Sequence, residues 1–231
     1  MTAVYEPGRL LQGRDGVFRL KNEVFSSNTY VCQLNDSGSC VLIDPGLDTI
    51  AISNFLTERK LVPRAVLCTH GHFDHIGSAS HFQQAFGAAV YLHQADVKLS
   101  RSANFLLMAA KVEARITIPQ VDVALQDKDV VVIDSATFTF HSLPGHTPGS
   151  CVIAYQNALF TGDTLYRSGT DLNSLPGENP DDLRRSILRL AAEMPPESWV
   201  YPGHGGSASL GQIMDGNIEL RRFLGLDGQS A

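Results

Sequence analysis

His70, His72, Asp74 and His75 crowd into six consecutive positions, His70-Gly-His-Phe-Asp-His75. Imidazole and carboxylate are the ligands that zinc, iron and manganese accept. His70 and His72 sit two apart, so in an extended turn both side chains can face one ion. Asp74 and His75 can then face a neighbouring position. One ion does not need all four, so the density points to two ions, or to one ion plus a base. A lone histidine at a core edge is ordinarily a hydrogen-bonded packing residue. Four ligand-type groups crowded at a strand end need another reason.

The apolar run Ala65-Val-Leu-Cys68 holds these residues in place and reads as a buried strand ending at Thr69. Three later strand ends also carry ligand types. Leu143-Pro-Gly-His146-Thr-Pro-Gly-Ser follows a strand over 136–142, Thr161-Gly-Asp163-Thr follows one over 158–160, and Pro202-Gly-His204-Gly-Gly follows one over 199–201. Each ligand comes directly after a glycine (Gly145, Gly162, Gly203), which lets the backbone bend tightly beside a cluster. Five of the eight histidines lie in such turns. His81, His93 and His141 have ordinary settings and read as structural or exposed. Asp44-Pro45-Gly46 closes a hairpin. Proline and glycine account for that turn, but Asp44 is also placed to orient a metal-bound histidine.

The rest of the chain alternates strands and helices. Gly16–Leu20, Thr29–Leu34 and Ser39–Asp44 read as strands, with Asn35-Asp-Ser-Gly38 as the turn of a hairpin. Residues 48–60 read as a helix capped by Asp48 or Thr49, with Ile50, Phe55 and Leu56 on its apolar face. A helix over Ile76–Phe86 and a strand over Ala88–Leu92 follow. Residues 94–120 are less regular. Asn104–Ala110 reads as a short apolar helix, either core or a lid that walls a pocket. Strands over Val130–Ile133, Ala136–His141, Ser150–Tyr155, Ala158–Phe160 and Trp199–Tyr201 surround a helix over Asp181–Glu193, and a helix over Leu210–Leu224 precedes a polar tail. Strand-rich halves that each carry helices fit two sheets face to face with helices outside. No Ser- or Pro-rich linker divides residues 1–231, which read as one domain.

The 231 residues are enough for a sizeable core. Lys plus Arg total 18 against 24 Asp plus Glu, a net charge of −6 with no basic block, so no nucleic-acid partner is expected. The start, Met1-Thr-Ala-Val-Tyr-Glu-Pro-Gly8, lacks the pattern of a signal peptide, and no apolar run is long enough to span a bilayer. A cytoplasmic protein without a membrane partner is the expectation. Cys32, Cys40, Cys68 and Cys151 show no C-x-x-C spacing and read as buried free thiols.

Taken in order, His70-Gly-His72-Phe-Asp74-His75, Gly145-His146-Thr-Pro-Gly149, Gly162-Asp163-Thr164 and Pro202-Gly203-His204-Gly205 resemble the metal motifs of the metallo-β-lactamase fold superfamily. The resemblance implies an α/β, four-layer αββα sandwich of two mixed sheets with helices outside, and a site for two divalent ions along one edge. Zinc is the first expectation, with iron or manganese as alternatives. Carried over by position, His70, His72 and His146 would hold one ion, and Asp74, His75 and His204 the other. Asp163 would bridge the two.

Within the superfamily, the style of the motifs is most similar to the glyoxalase II (hydroxyacylglutathione hydrolase-like) group. True metallo-β-lactamases generally lack the bridging Asp. The loop Arg167-Ser-Gly-Thr-Asp171 departs from the glyoxalase II pattern. Only about one helix follows His204, and its one basic pair, Arg221-Arg222, reads as a solvated face. Glutathione specificity therefore does not follow, and another small acyl compound fits as well. The implied reaction is thioester hydrolysis by a metal-bridging hydroxide, with Asp74 also orienting it and Asp44 supporting from behind. A lactonase would use the same site. A persulfide dioxygenase with a single iron, and a non-catalytic binding protein, are the readings from other classes. Intact ligand types at all seven positions speak against the last.

Overall fold

The computed structural model describes residues 16–171 and 177–226. The first eight residues and the end of the polar tail lie outside the described residues. Two six-stranded sheets face each other. In the first, β1 (Val17–Lys21), β2 (Asn28–Gln33) and β3 (Ser39–Ile43) are antiparallel, and β4 (Val62–Leu67), β5 (Ala89–His93) and β6 (Val123–Leu125) continue in parallel from β3. In the second, β7 (Val130–Ile133), β8 (Ala136–Ser142), β9 (Cys151–Tyr155) and β10 (Ala158–Gly162) are antiparallel. Parallel β11 (Trp199–Pro202) and antiparallel β12 (Ala208–Ser209) complete it.

The two-residue period of the strands makes the layers. In β3, Val41 and Ile43 face the other sheet, with Tyr30, Leu67, Phe138, Phe140, Phe160 and Tyr201. Cys40 and Leu42 face outward, where they meet Ile52, Phe55 and Leu56 of α1 (Thr49–Arg59) and Phe82 of α3 (Ala79–Phe86). On the far side Val152, Leu159 and Val200 meet Leu183, Ile187 and Leu190 of the helix over Pro180–Glu193. The result is the αββα sandwich. All four cysteines are buried and free. No helix among the described residues is long and apolar enough to cross a membrane.

Several local expectations are corrected. Ile50 is 75% exposed. Because Asp48 caps α1 by accepting from Ala51 N–H, the buried stripe falls on Ile52, Phe55 and Leu56 instead. The helix expected over Ile76–Phe86 is broken. Residues Phe73–Ile76 make a one-turn helix, α2, and α3 begins only at Ala79. Between them, Ser78 turns its N–H to Pro45 O and its hydroxyl to Gly46 O, which diverts the chain. Strand β4 starts at Val62, and the register shifts opposite Cys40 where Pro63 lacks an N–H. Residues 94–110 contain a 3₁₀ turn (Gln94–Asp96), α4 (Val97–Ser100) and α5 (Ala103–Ala109). Ala103 and Leu107 of α5 are core, while Phe105 and Met108 are exposed. Downstream of α6 (Pro180–Glu193), extended Asn217 divides the last expected helix into α7 (Leu210–Gly216) and α8 (Ile218–Leu224), its side chain capping the second.

Candidate metal centre

Strands β4, β8, β10 and β11 end at the same edge of the sandwich, and the turns that follow them converge. Three groups of ligand atoms result: His70, His72 and His146; His70, His75 and Asp163; and Asp74, His75 and His204. His72 Nδ1 lies 3.0 Å from His146 Nε2. Asp74 Oδ2 lies 3.6 Å from His75 Nε2 and 3.4 Å from His204 Nε2. Asp163 reaches both sets. Its Oδ2 is 3.5 Å from both His146 Nε2 and His204 Nε2 and 4.0 Å from His70 Nε2, and its Oδ1 is 3.4 Å from His75 Nε2. All seven residues singled out in the sequence therefore meet in one place.

The donor set fits divalent metal ions. Ligand atoms about 2.0–2.1 Å from a tetrahedral ion stand roughly 3.3–3.4 Å apart, close to most of these separations. His70 Nε2, His75 Nε2 and Asp163 Oδ1 are buried with no hydrogen-bond partner. Each such orphan costs about 1–3 kcal/mol. Three of them converging is what remains when ligand lone pairs are reserved for cations.

A second layer fixes which ring nitrogen is available. Asp44, at a left-handed φ of 50°, turns its carboxylate back under the cluster. Its Oδ1 accepts Thr69 N–H at 2.7 Å, and its Oδ2 accepts Thr69 Oγ1–H at 2.7 Å and lies 3.0 Å from His75 Nδ1. Thr69 Oγ1 is in turn 3.1 Å from His70 Nδ1. With the Thr69 proton committed to Asp44, His70 Nδ1 must donate to Thr69, which leaves Nε2 as its lone-pair nitrogen. Gly162, at φ 49°, packs so close to Thr69 Oγ1 that a Cβ there would strike it.

The charges are arranged in opposition. Burial and neighbouring histidines push His70 well below the usual histidine value, and they push His72 to about 4. Burial would lower His75 and His204 too, but Asp163 and Asp74 outweigh it. They raise His75 well above its ordinary value and His204 to about 9. Conversely, against the upward push of burial, His75 and His204 hold Asp74 and Asp163 below the ordinary carboxylate range.

Four residues at the site escaped the sequence reading. In the sequence Thr69 reads only as a strand end. Buried Asp96 bonds two of the ligand turns, and a lone acid after a strand has no motif to announce it. The Glu178 carboxylate lies 3.3 Å from His146 Nδ1, brought there by the turn before α6. Tyr166 stands edge-on to His204, with ring centres 6.2 Å apart, and burial and Asp163 keep its phenol protonated. At the rim, Phe25, 45% exposed and at φ 61°, meets Phe73 edge-on at 5.0 Å. The same hairpin is tied to the site by Ser27 Oγ donating to Asp74 O and by Asn28 N–H donating to Gly203 O.

Residues 22–204 match the family model described as "Metallo-beta-lactamase superfamily". The "Probable metallo-hydrolase YqgX" of Bacillus subtilis is 30% identical over 85% of this chain and 93% of its own. A "Hydroxyacylglutathione hydrolase" of Anaeromyxobacter dehalogenans is 32% identical, covering 80% of this chain and 64% of that one. Among solved structures, TTHA1623 in a di-iron-bound form superimposes with a TM-score of 0.79 at 32% identity, over 88% of this chain and all of that one. The BLEG-1 B3 metallo-beta-lactamase does so with a TM-score of 0.77 at 31% identity, over 88% of this chain and 99% of that one.

Proposed function

The chain belongs to the metallo-beta-lactamase superfamily, and from that premise we propose that it is a dinuclear metal-dependent hydrolase acting on small acyl thioesters. The observation that carries the reading is Asp163, whose two oxygens reach histidines of both ligand groups. A mononuclear centre would not need Asp74, His75 and His204 to converge as well. The metal-hydrolase names of relatives and the di-iron form of a similar structure support the same view.

In this reading His70, His72 and His146 hold the first ion, Asp74, His75 and His204 hold the second, and Asp163 is shared. Two divalent ions there would supply a hydroxide nucleophile near neutral pH and polarise a carbonyl oxygen. The residues of the chain do the rest. Asp44 keeps His70 and His75 presenting Nε2. Asp74, held ionised, would accept a hydrogen bond from that hydroxide and orient it. Asp74 and Asp163 are both held ionised, so neither is a ready proton donor to a leaving group. A thiolate requires none, which favours a thioester over an amide. Phe25 and Phe73 wall the entrance and give the acyl portion an apolar surface. Similarity to a hydroxyacylglutathione hydrolase supports the thioester class.

Metal analysis of the purified protein, followed by turnover on thioesters, lactones, a cephalosporin and a persulfide, tests this. Two ions per chain with thioester hydrolysis are expected. One iron per chain with oxygen uptake on the persulfide would overturn it, and preference for the lactone or the cephalosporin would retain the metal centre but replace the substrate.

A further inference from the structure

We propose that Asp96 is a positioning residue that clamps the His70–His72 turn to the His146 turn and thereby sets affinity at the first ion position alone. The inference rests on the ligand grouping given above. Asp96 is fully buried, at 0% exposure, in the 3₁₀ turn after β5. Its Oδ2 accepts the Gly71 N–H at 2.8 Å and the Thr147 hydroxyl at 2.7 Å, and its Oδ1 accepts the Gly149 N–H at 2.8 Å. Gly71 lies between His70 and His72, and Thr147 directly follows His146. One carboxylate thus bonds the two turns that carry the first-position imidazoles, which are more than seventy residues apart in sequence.

A buried carboxylate is costly unless its lone pairs are met, and three short donors meet them here. Both glycines are small for the sake of this contact. A Cβ on Gly149 would stand 2.7 Å from the Asp96 carboxylate, and one on Gly71 would stand 3.0 Å from Asp96 O. The clamp is what brings His72 Nδ1 and His146 Nε2 to 3.0 Å. The second position is held by other means. His75 rests on Asp44, Asp74 and His75 ride on α2, and His204 follows Gly203, whose carbonyl is bonded by Asn28. A plain fold staple would act on both positions alike, and that difference is measurable.

The test uses zinc, in competition with a chromophoric chelator, on the full chain in two backgrounds. His204→Ala leaves the first position, and His72→Ala leaves the second. Asp96→Asn keeps the shape but turns one acceptor into a donor facing an N–H. It should weaken zinc roughly 10- to 100-fold in the His204→Ala background and by less than about twofold in the His72→Ala background, the range seen when groups behind metal ligands are changed. Thr147→Val removes one donor, leaves the carboxylate in place, and should show the same selectivity more weakly if Asp96→Asn does not fold. Equal losses in both backgrounds, or none in either, would overturn the proposal. If His72→Ala and His204→Ala do not each leave one zinc per chain, the ligand grouping itself is wrong, and that result is distinct.

Discussion

Asp44 Oδ2 stands 3.0 Å from His75 Nδ1, and the same oxygen takes the Thr69 hydroxyl proton that frees Thr69 to accept from His70. One buried carboxylate therefore governs a histidine in each ligand group, directly in one case and through a hydroxyl in the other. Replacing Asp44 with Ala should weaken both ions, by about 10- to 100-fold each. Thr69→Val should weaken only the ion held by His70, because His75 keeps its direct contact. Chelator competition on the two variants checks this, and equal behaviour of the two would show that the relay through Thr69 is not used.

Removing Asp163 should be the more severe change. Its two oxygens face His75 on one side and His146 and His204 on the other. Asp163→Ala should lower metal content from two ions toward one and reduce thioester turnover by at least about a hundredfold, the scale of losing a group that acts in the transition state. Metal stoichiometry and kcat on the same preparation decide it, and unchanged turnover would refute the shared-carboxylate assignment.

These ligands were legible because their chemistry is local. A Gly-His or Gly-Asp pair after an apolar run announces a strand end and a side chain with work outside the core. The sandwich was legible for a similar reason, since the unbroken apolar run of β3, buried throughout, marks a strand with a layer on each face, and the alternation along β8 marks one with its apolar face turned to the core. What stayed hidden depends on contacts distant in sequence. Nothing near Asp96 says that Gly71 and Gly149 will both donate to it. The break at Gly77-Ser78 was missed because Ser78 bonds Pro45 and Gly46, a loop more than thirty residues away. Strand β6 has three residues, one of them buried, too few for a pattern.

The rim should discriminate among acyl groups. Phe25 is held in left-handed backbone, followed by Ser26 in the same region, a combination disfavoured for side chains of this kind and retained here where the ring meets Phe73. Phe25→Ala should raise KM for a long-chain acyl thioester roughly four- to fifteenfold, the equivalent of one or two buried methylenes lost. KM for an acetyl thioester, and kcat for both, should hardly change. A KM rise independent of chain length would mean that the ring shapes the metal centre and not the acyl path.

Proton release should separate the two ion positions. In the metal-free protein His204, raised to about 9, and His75, raised well above its ordinary value, carry protons at neutral pH. His72, pushed to about 4, and His70, pushed well down, do not. A cation entering the second position must displace protons, whereas His70 and His72 at the first have none to give above about pH 6, where imidazoles lowered in this way are already neutral. Zinc affinity in the His72→Ala variant should therefore climb about tenfold per pH unit for each proton displaced, less steeply once pH passes the His204 value. In the His204→Ala variant, where His70 and His72 hold no protons to displace, the climb should be shallower. Folding of the metal-free protein runs the other way with pH: the stability that His204 lends is complete below its ordinary value and is lost as pH rises through about 9. Calorimetric zinc titrations in two buffers of different ionisation enthalpy count the protons. Equal counts at the two positions would show that the opposed titration of the histidines plays no part in loading the site.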